Sequence, residues 1–155
     1  MIEVRSQPFD PGAELRRFAE NCAGAGAIVS FTGLVRGAGR KGAVATLELE
    51  HYPRFTLKTI EAIAEEARLR FAPVDLVILH RHGRLAPGEP IVFVAAAAGH
   101  RRAAFETVDY LMDRLKTEAP FWKREHGPEG SRWIEALPSD VSDRARWKEE
   151  RDARN

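Results

Sequence analysis

The 155-residue sequence predicts an α+β fold in which helices pack on a mainly antiparallel sheet. Apolar residues recur with helical spacing in three stretches, and they alternate or run together in the shorter stretches between, giving the order β-α-β-β-α-β-β-α-β-β. No internal repeat or linker interrupts this order, and the length suits one hydrophobic core rather than two. Hydrophobic residues at 44% and charged residues at 30% belong to a globular chain, neither disordered nor membrane-embedded.

Ile2 to Arg5 alternates as a short strand. Asp10-Pro11 then supplies an N-cap and a first-turn proline for a helix through Leu15, Phe18 and Ala19, ending near Gly24. Ala27 to Thr32 reads as a buried strand, followed by a loop with four glycines between Gly33 and Gly42. Val44 to Tyr52 alternates Val44, Thr46, Glu48 and Glu50 against Ala45, Leu47, Leu49 and His51, the pattern of a half-exposed strand. Phe55, Ile60, Ile63, Ala64, Ala67 and Phe71 keep helical spacing. Val74 to His82 and Glu89 to Ala98 are strands joined by a connection whose Pro87-Gly88 pair marks a turn. A helix from about His100 to Thr117 carries Phe105, Val108, Leu111, Met112 and Leu115 on one stripe, and Pro120 stops it. Phe121 to His126 and Arg132 to Ala136 form a small hairpin around Gly127-Pro-Glu-Gly130. Residues 1–138 thus read as a single domain. Residues 139–155 read as a charged tail, helical or frayed, with Trp147 its one large apolar side chain.

A net charge of +1 sets up no global field toward nucleic acid or acidic lipid, so any anion site must be a local cluster. The single cysteine, Cys22, excludes an intrachain disulfide framework and a thiolate metal cage; with no marked basic neighbour it reads as inert packing. The apolar run Ile91 to Ala98 is too short to span a bilayer, and Met1 to Arg5 lacks a signal pattern, so a cytosolic protein is expected.

Four features carry candidate chemistry. Gly99-His100-Arg101-Arg102 puts two arginines at a helix start, against the macrodipole preference for acids. An anion bound there would reconcile the charges. Equally, the guanidinium groups point to solvent or pair with an acid such as Glu106. Lys116 falls in the last helical turn, where a cation simply compensates the dipole, and Lys123 follows Phe121 and Trp122. A lysine beside such apolar surface loses hydration and drops its pKa toward a useful acid–base range, or it lays its stem on the indole and keeps its ammonium wet. The loop from Gly33 to Gly42 holds Arg36, Arg40 and Lys41 among glycines that would let a phosphate approach, yet it has no Walker or Rossmann spacing and also reads as a flexible hairpin loop. His80 and His82 share a strand face, with His51 on another strand, but no zinc-ligand motif surrounds them.

Together these features resemble the large, catalytic subunit family of molybdopterin synthase, the MoaE family. The resemblance is carried by Phe31-Thr-Gly-Leu-Val-Arg36, Leu49-Glu-His-Tyr-Pro53, His80-Arg-His-Gly83 with Gly88-Glu89, and Gly99-His-Arg101. Above all it rests on Leu115-Lys-Thr-Glu-Ala-Pro-Phe-Trp-Lys-Arg-Glu125, and it spans about residues 25 to 136. It implies an α/β-hammerhead fold with an additional small β-hairpin subdomain and a homodimeric core. It also implies one small ubiquitin-like sulfur-carrier subunit at each end, making a heterotetramer. The implied reaction moves sulfur from the carrier's C-terminal thiocarboxylate to cyclic pyranopterin monophosphate, forming the molybdopterin dithiolene. No cofactor or metal is implied for this subunit, since molybdenum enters the pterin at a later step.

Carried over by position, the substrate site comprises Leu34, Val35, Arg36, His100, Arg101, Lys116, Lys123, Arg124 and Glu125, with Lys116 and Lys123 as the catalytic pair. The segment Gly37-Ala-Gly39-Arg40 departs from the asparagine-containing loop of many members, so Arg40 and Lys41 receive no role. The residue chemistry agrees. The chain offers no convincing sulfur nucleophile, so its sulfur must be imported, and Arg36, His100 and Arg101 suit phosphate oxygens. His100 and Lys116 stand sixteen positions apart on one expected helix, roughly 24 Å at 1.5 Å per residue. That separation predicts a pocket shared between two subunits, with the lysines from one and His100 and Arg101 from its mate. Two rival readings remain: a non-enzymatic adaptor for a ubiquitin-like tail, and a nucleic-acid binder using Arg101, Arg102, Trp122, Lys123 and Arg124. The near-neutral charge opposes the second.

Overall fold

The computed structural model describes residues 1–39, 42–134 and 138–152. Its elements are β1 (Ile2–Arg5), α1 (Pro11–Glu20), β2 (Ala27–Leu34), β3 (Ala38–Gly39), β4 (Gly42–Ala43), β5 (Thr46–His51), α2 (Pro53–Phe71), β6 (Asp75–Arg81), β7 (Gly83–Leu85), β8 (Pro90–Ala98), α3 (Arg101–Glu118), β9 (Phe121–Gly127), β10 (Gly130–Ile134) and α4 (Pro138–Asp152). Arg40 and Lys41, and Ala136 at the expected end of the last hairpin, lie outside the described residues.

Two four-stranded sheets organise the chain. The first has the order β1-β6-β8-β2, with β1 parallel to β6 and the other pairs antiparallel; the second, β10-β9-β5-β7, is antiparallel throughout. The expected α+β architecture with a mainly antiparallel sheet is therefore present, and the C-terminal hairpin is joined to β5 as part of the second sheet. β6 and β8 read as continuous apolar runs because both faces of the first sheet are covered. Val77, Leu79, Phe93, Ala95 and Ala97 face Phe18 and Cys22 near α1, while Leu76, Ile78, Val94 and Ala96 face α2 and α3. Among the described residues, no helix is long and apolar enough to cross a membrane.

Asp10 caps α1 as expected, its carboxylate accepting from the amides of Gly12 at 2.7 Å and Ala13 at 3.3 Å. Three expectations are corrected. The β2 segment is only half-buried, since it forms an edge of its sheet and exposes Ile28, Phe31 and Leu34. Phe55 and Phe105 are exposed rather than buried. Each lies at the border of the buried stripe of its helix, formed by Ile60, Ile63 and Ala67 in α2 and by Ala104, Val108 and Leu111 in α3, on the side turned to solvent. The connection after β6 holds a strand as well as a turn. Gly83, at φ 86°, lets the chain leave the first sheet, and β7 then pairs with β5 in the second.

The segment after Pro138 is helical. Trp147 of α4 is buried against Phe71 and Tyr110, with ring centroids 5.8 and 5.4 Å away, and its indole N–H donates to Asp113 at 2.7 Å. Arg144 pairs with Glu118 at 2.8 Å and Arg146 with Asp109 at 2.8 Å, fixing α4 along α3.

α3 begins one short turn after β8 and runs back over the same sheet. Its two ends therefore lie at opposite ends of the molecule's first layer. At its start the backbone crosses closely: a Cβ on Gly26 would stand 2.4 Å from the Gly99 carbonyl oxygen, so only glycine fits there.

Candidate active site

Lys116 and Lys123 come together where α3 hands the chain to β9. Lys116 occupies the last turn of α3; Pro120 then forces an extended start to β9, in which side chains alternate between faces. Trp122 and Arg124 take one face, Trp122 edge-on to Tyr52 at 4.9 Å and Arg124 over the Trp133 ring at 4.1 Å. Lys123 takes the other. Its stem thus turns away from the indole and into the protein, where burial lowers its pKa, the Lys116 charge lowers it further, and Asp140 partly opposes both. Asp140, in the first turn of α4, holds the Lys116 ammonium at 3.2 Å.

Behind Lys123 lies a stack of rings. His80 is buried face-to-face with Phe121, centroids 3.9 Å apart and planes 13° from parallel. Its Nδ1–H donates to the Arg81 carbonyl at 2.8 Å, the only polarity a carbonyl partner allows. Burial holds His80 neutral, with its pKa pushed down to about 3, and the charge of Lys123 acts in the same direction. His51 stacks on Phe121 from another side at 5.7 Å and meets His82 at 4.4 Å. Of the three histidines singled out for zinc, His51 and His82 thus meet ring to ring, while His80 stacks on Phe121. Among the described residues, no three or more histidine, cysteine, aspartate or glutamate side chains are arranged to hold a metal ion.

The other site residues are divided. His100 is the N-cap residue of α3 without a side-chain capping bond, and with Arg101, Arg102 and Phe105 it borders an open hollow of about 730 Å³ at the start of β2. Arg102 pairs with Glu106 at 3.5 Å, the acid the sequence offered it. At the opposite end of β2, Leu34 and Arg36 are exposed while Val35 is buried, its N–H donating to the Glu89 carbonyl at 3.0 Å and its carbonyl accepting from Gly88 at 2.9 Å. β2 pairs Ala27 with Ala98 and Leu34 with Pro90, so Leu34 to Arg36 lie at the end of the sheet away from His100. Arg124 faces away from Lys123 and reaches Glu50 at 3.8 Å; Glu125 is held by Arg132, whose Nε donates at 2.8 Å. Within one chain the structure joins Lys116 to Lys123 and leaves His100 with Arg101 the length of α3 away. Asp140 and the His80–Phe121 stack are neighbours of the lysine pair that the sequence alone did not place. Asp140 sits in a segment with little apolar periodicity, and His80 carried only the signal of a strand histidine.

The family model described as MoaE protein matches residues 4–118. The chain belongs to the MoaE family. Two similar relatives are both called molybdopterin synthase catalytic subunit. The one from Caulobacter vibrioides is 52% identical over 97% of this chain and 99% of its own length. The one from Cereibacter sphaeroides is 51% identical over 94% of this chain and 99% of its own. These matches run well past residue 118, into the segment that carries Lys123 in this MoaE-family chain. Among solved structures, the molybdopterin biosynthesis MoaE protein from Burkholderia ambifaria superposes with a TM-score of 0.81 at 44% identity, covering 96% of this chain and 97% of that one.

Proposed function

We propose that this chain is the catalytic subunit of molybdopterin synthase: a sulfurtransferase that takes sulfur from the thiocarboxylated C-terminus of a small ubiquitin-like carrier and installs it on cyclic pyranopterin monophosphate as the dithiolene. The observation that carries this reading is the lysine pair, one member half-exposed and ion-paired, the other withdrawn from water beside it. An anionic thiocarboxylate is attracted to the exposed cation, and the adjacent lysine of lowered pKa suits proton transfer as sulfur adds and oxygen leaves. The single cysteine is buried with its thiol pKa raised by burial, which disfavours the thiolate and supports an imported sulfur. Residues 1–138 carry the catalytic and substrate-binding groups in this reading, with α4 packed on them through Trp147, and the protein works in the cytoplasm.

Phosphate recognition falls to Arg36, His100 and Arg101, with Leu34 and Val35 shaping the wall and Arg124 and Glu125 at its border. Two copies are needed to bring these groups to one lysine pair, so the working unit is a homodimer with a carrier at each end. The exposed edge of β2 supports that assembly, because it offers unpaired backbone groups beside Ile28, Phe31 and Leu34.

Purified protein, thiocarboxylated carrier and cyclic pyranopterin monophosphate are expected to yield dithiolene product, detected by mass. Lys116→Ala and Lys123→Ala should each retain the carrier in a pull-down while turnover falls by roughly a hundredfold or more. Loss of carrier binding in step with turnover would instead identify an adaptor.

A further inference from the structure

Among the described residues, the carboxylate that acts on both lysines is that of Asp140, and it is built in. Asp140 stands in the first turn of α4, where the helix's unpaired amides favour a negative charge. Its side chain is only 14% exposed. Two turns further along, the buried Trp147 and the ion pairs of Arg144 and Arg146 lock α4 against α3, so Asp140 is presented from a fixed frame. Lys116 is the lysine it contacts, at 3.2 Å.

The titratable and charged groups around Lys123 come from several elements: Lys116 from α3, Asp140 from α4, and His80 from β6, with His51 of β5 and His82 behind His80. His80 is neutral, so it adds no charge there. Among the described residues three charges then face one another, two positive and one negative, with Lys116 half-exposed and Lys123 withdrawn from water. One lysine can be matched by the carboxylate; the other is left with burial and a like charge.

Resting on the sulfur-transfer reading above, we propose that Asp140 is a positioning residue for the lysine pair: its carboxylate fixes Lys116 as the permanent cation and leaves Lys123 as the group that exchanges protons with substrate. The exchange balances simply. The Lys123 amine takes up one proton from the substrate–carrier adduct as sulfur adds, and the ammonium so formed returns that proton to the departing oxygen. Asp140 touches neither reactant and acts through Lys116 and through its field on Lys123.

The test uses the full chain with its lysines reductively methylated with ¹³C, so that each dimethylamine titrates as a separate NMR signal; Lys116→Arg and Lys123→Arg assign the two signals. In Asp140→Asn the Lys123 midpoint moves to lower pH, because the charge that favoured its ammonium is gone. In the unmethylated enzyme with carrier and substrate, the acid limb of kcat/KM moves the same way, and kcat falls about tenfold as Lys116 loses its fixed position. Asp140→Glu restores both. An unmoved Lys123 midpoint in Asp140→Asn, or an unmoved acid limb, overturns the assignment. Absence of dithiolene product from the unsubstituted protein would overturn the sulfur-transfer reading itself, while the NMR midpoints still decide what Asp140 does to the lysines.

Discussion

At the scale of single residues, the second layer of the site is held by neutral rings. His80 is sandwiched against Phe121 with its Nδ1–H committed to the Arg81 carbonyl, and burial pushes its pKa to about 3. In the unfolded chain the same group has the ordinary value near 6.5. Between these values the unfolded state binds a proton that the native state refuses, so stability falls as pH drops from 6.5 toward 3 and is recovered above 6.5. The expected slope from this residue is about 1.4 kcal/mol per pH unit in that window, and His51, also lowered by burial, acts in the same direction. Denaturant midpoints measured at several pH values between 7 and 4 check it. His80→Phe should keep the stack on Phe121 while flattening the acid dependence, and an unchanged slope in that variant would assign the acid sensitivity elsewhere. The sequence placed a histidine on this strand and named Lys123 as a lysine of lowered pKa or one lying on an indole. Strand alternation decides between these: Trp122 and Lys123, as neighbours in β9, leave on opposite faces. A single sequence did not reveal that His80 and Phe121, forty-one positions apart, would meet.

At the scale of elements, α4 is an integral piece of the fold, with Trp147 as its apolar anchor beside the ion pairs of Arg144 and Arg146. Trp147 fills a niche between Phe71 and Tyr110, donates its N–H to Asp113, and lies under the Arg70 guanidinium at 5.3 Å from the ring centre. Trp147→Ala removes all of these contacts at once and is expected to cost about 3–5 kcal/mol in denaturant unfolding, the range for deleting a buried aromatic. The same change loosens the frame that presents Asp140, so the Lys123 NMR midpoint should move downward, in the direction expected of Asp140→Asn. Trp147→Phe keeps the ring packing but not the hydrogen bond, and should cost less than Trp147→Ala. Equal stability of Trp147→Ala and the unsubstituted chain would show that α4 contributes nothing to the fold. This helix was hard to read in advance because its face against α3 is made mostly of arginines, with Trp147 its single large buried apolar residue; periodicity needs several apolar positions to register. Where apolar residues were plentiful the helices were found, yet spacing alone assigned Phe55 and Phe105 to the interior. Each is apolar and near the buried stripe, and only the orientation of the whole helix on the sheet excludes it.

At the scale of the whole molecule, the separation of the cationic groups demands a second copy if all of them serve one substrate. α3 is a continuous helix from Arg101 to Glu118, so His100 and Lys116 stand roughly 24 Å apart by helical rise. β2 spans about the same distance in the same sense, from Ala27 beside the His100 turn to Leu34 at the far end. Its free edge with exposed Ile28, Phe31 and Leu34 suits antiparallel pairing with the same edge of another copy. A two-fold axis near the middle of β2 would lay the His100–Arg101 end of one chain beside the Leu34–Arg36 end of its mate, the arrangement that the proposed shared pocket calls for. Breaking the edge and mixing crippled chains test this together. Phe31→Glu is expected to shift the protein toward monomer in sedimentation and to abolish dithiolene formation, although Lys116 and Lys123 remain intact in each chain. Lys116→Ala and His100→Ala homodimers should both be nearly inactive, whereas verified heterodimers of the two carry one pocket with both residues intact and one lacking both. Those heterodimers should recover about half the turnover of the unsubstituted dimer, because one of two equivalent pockets is whole. Heterodimers as inactive as their parents would mean that each pocket is built within one chain, and α3 would then have to bring its two ends together in a way its continuous helical course does not permit.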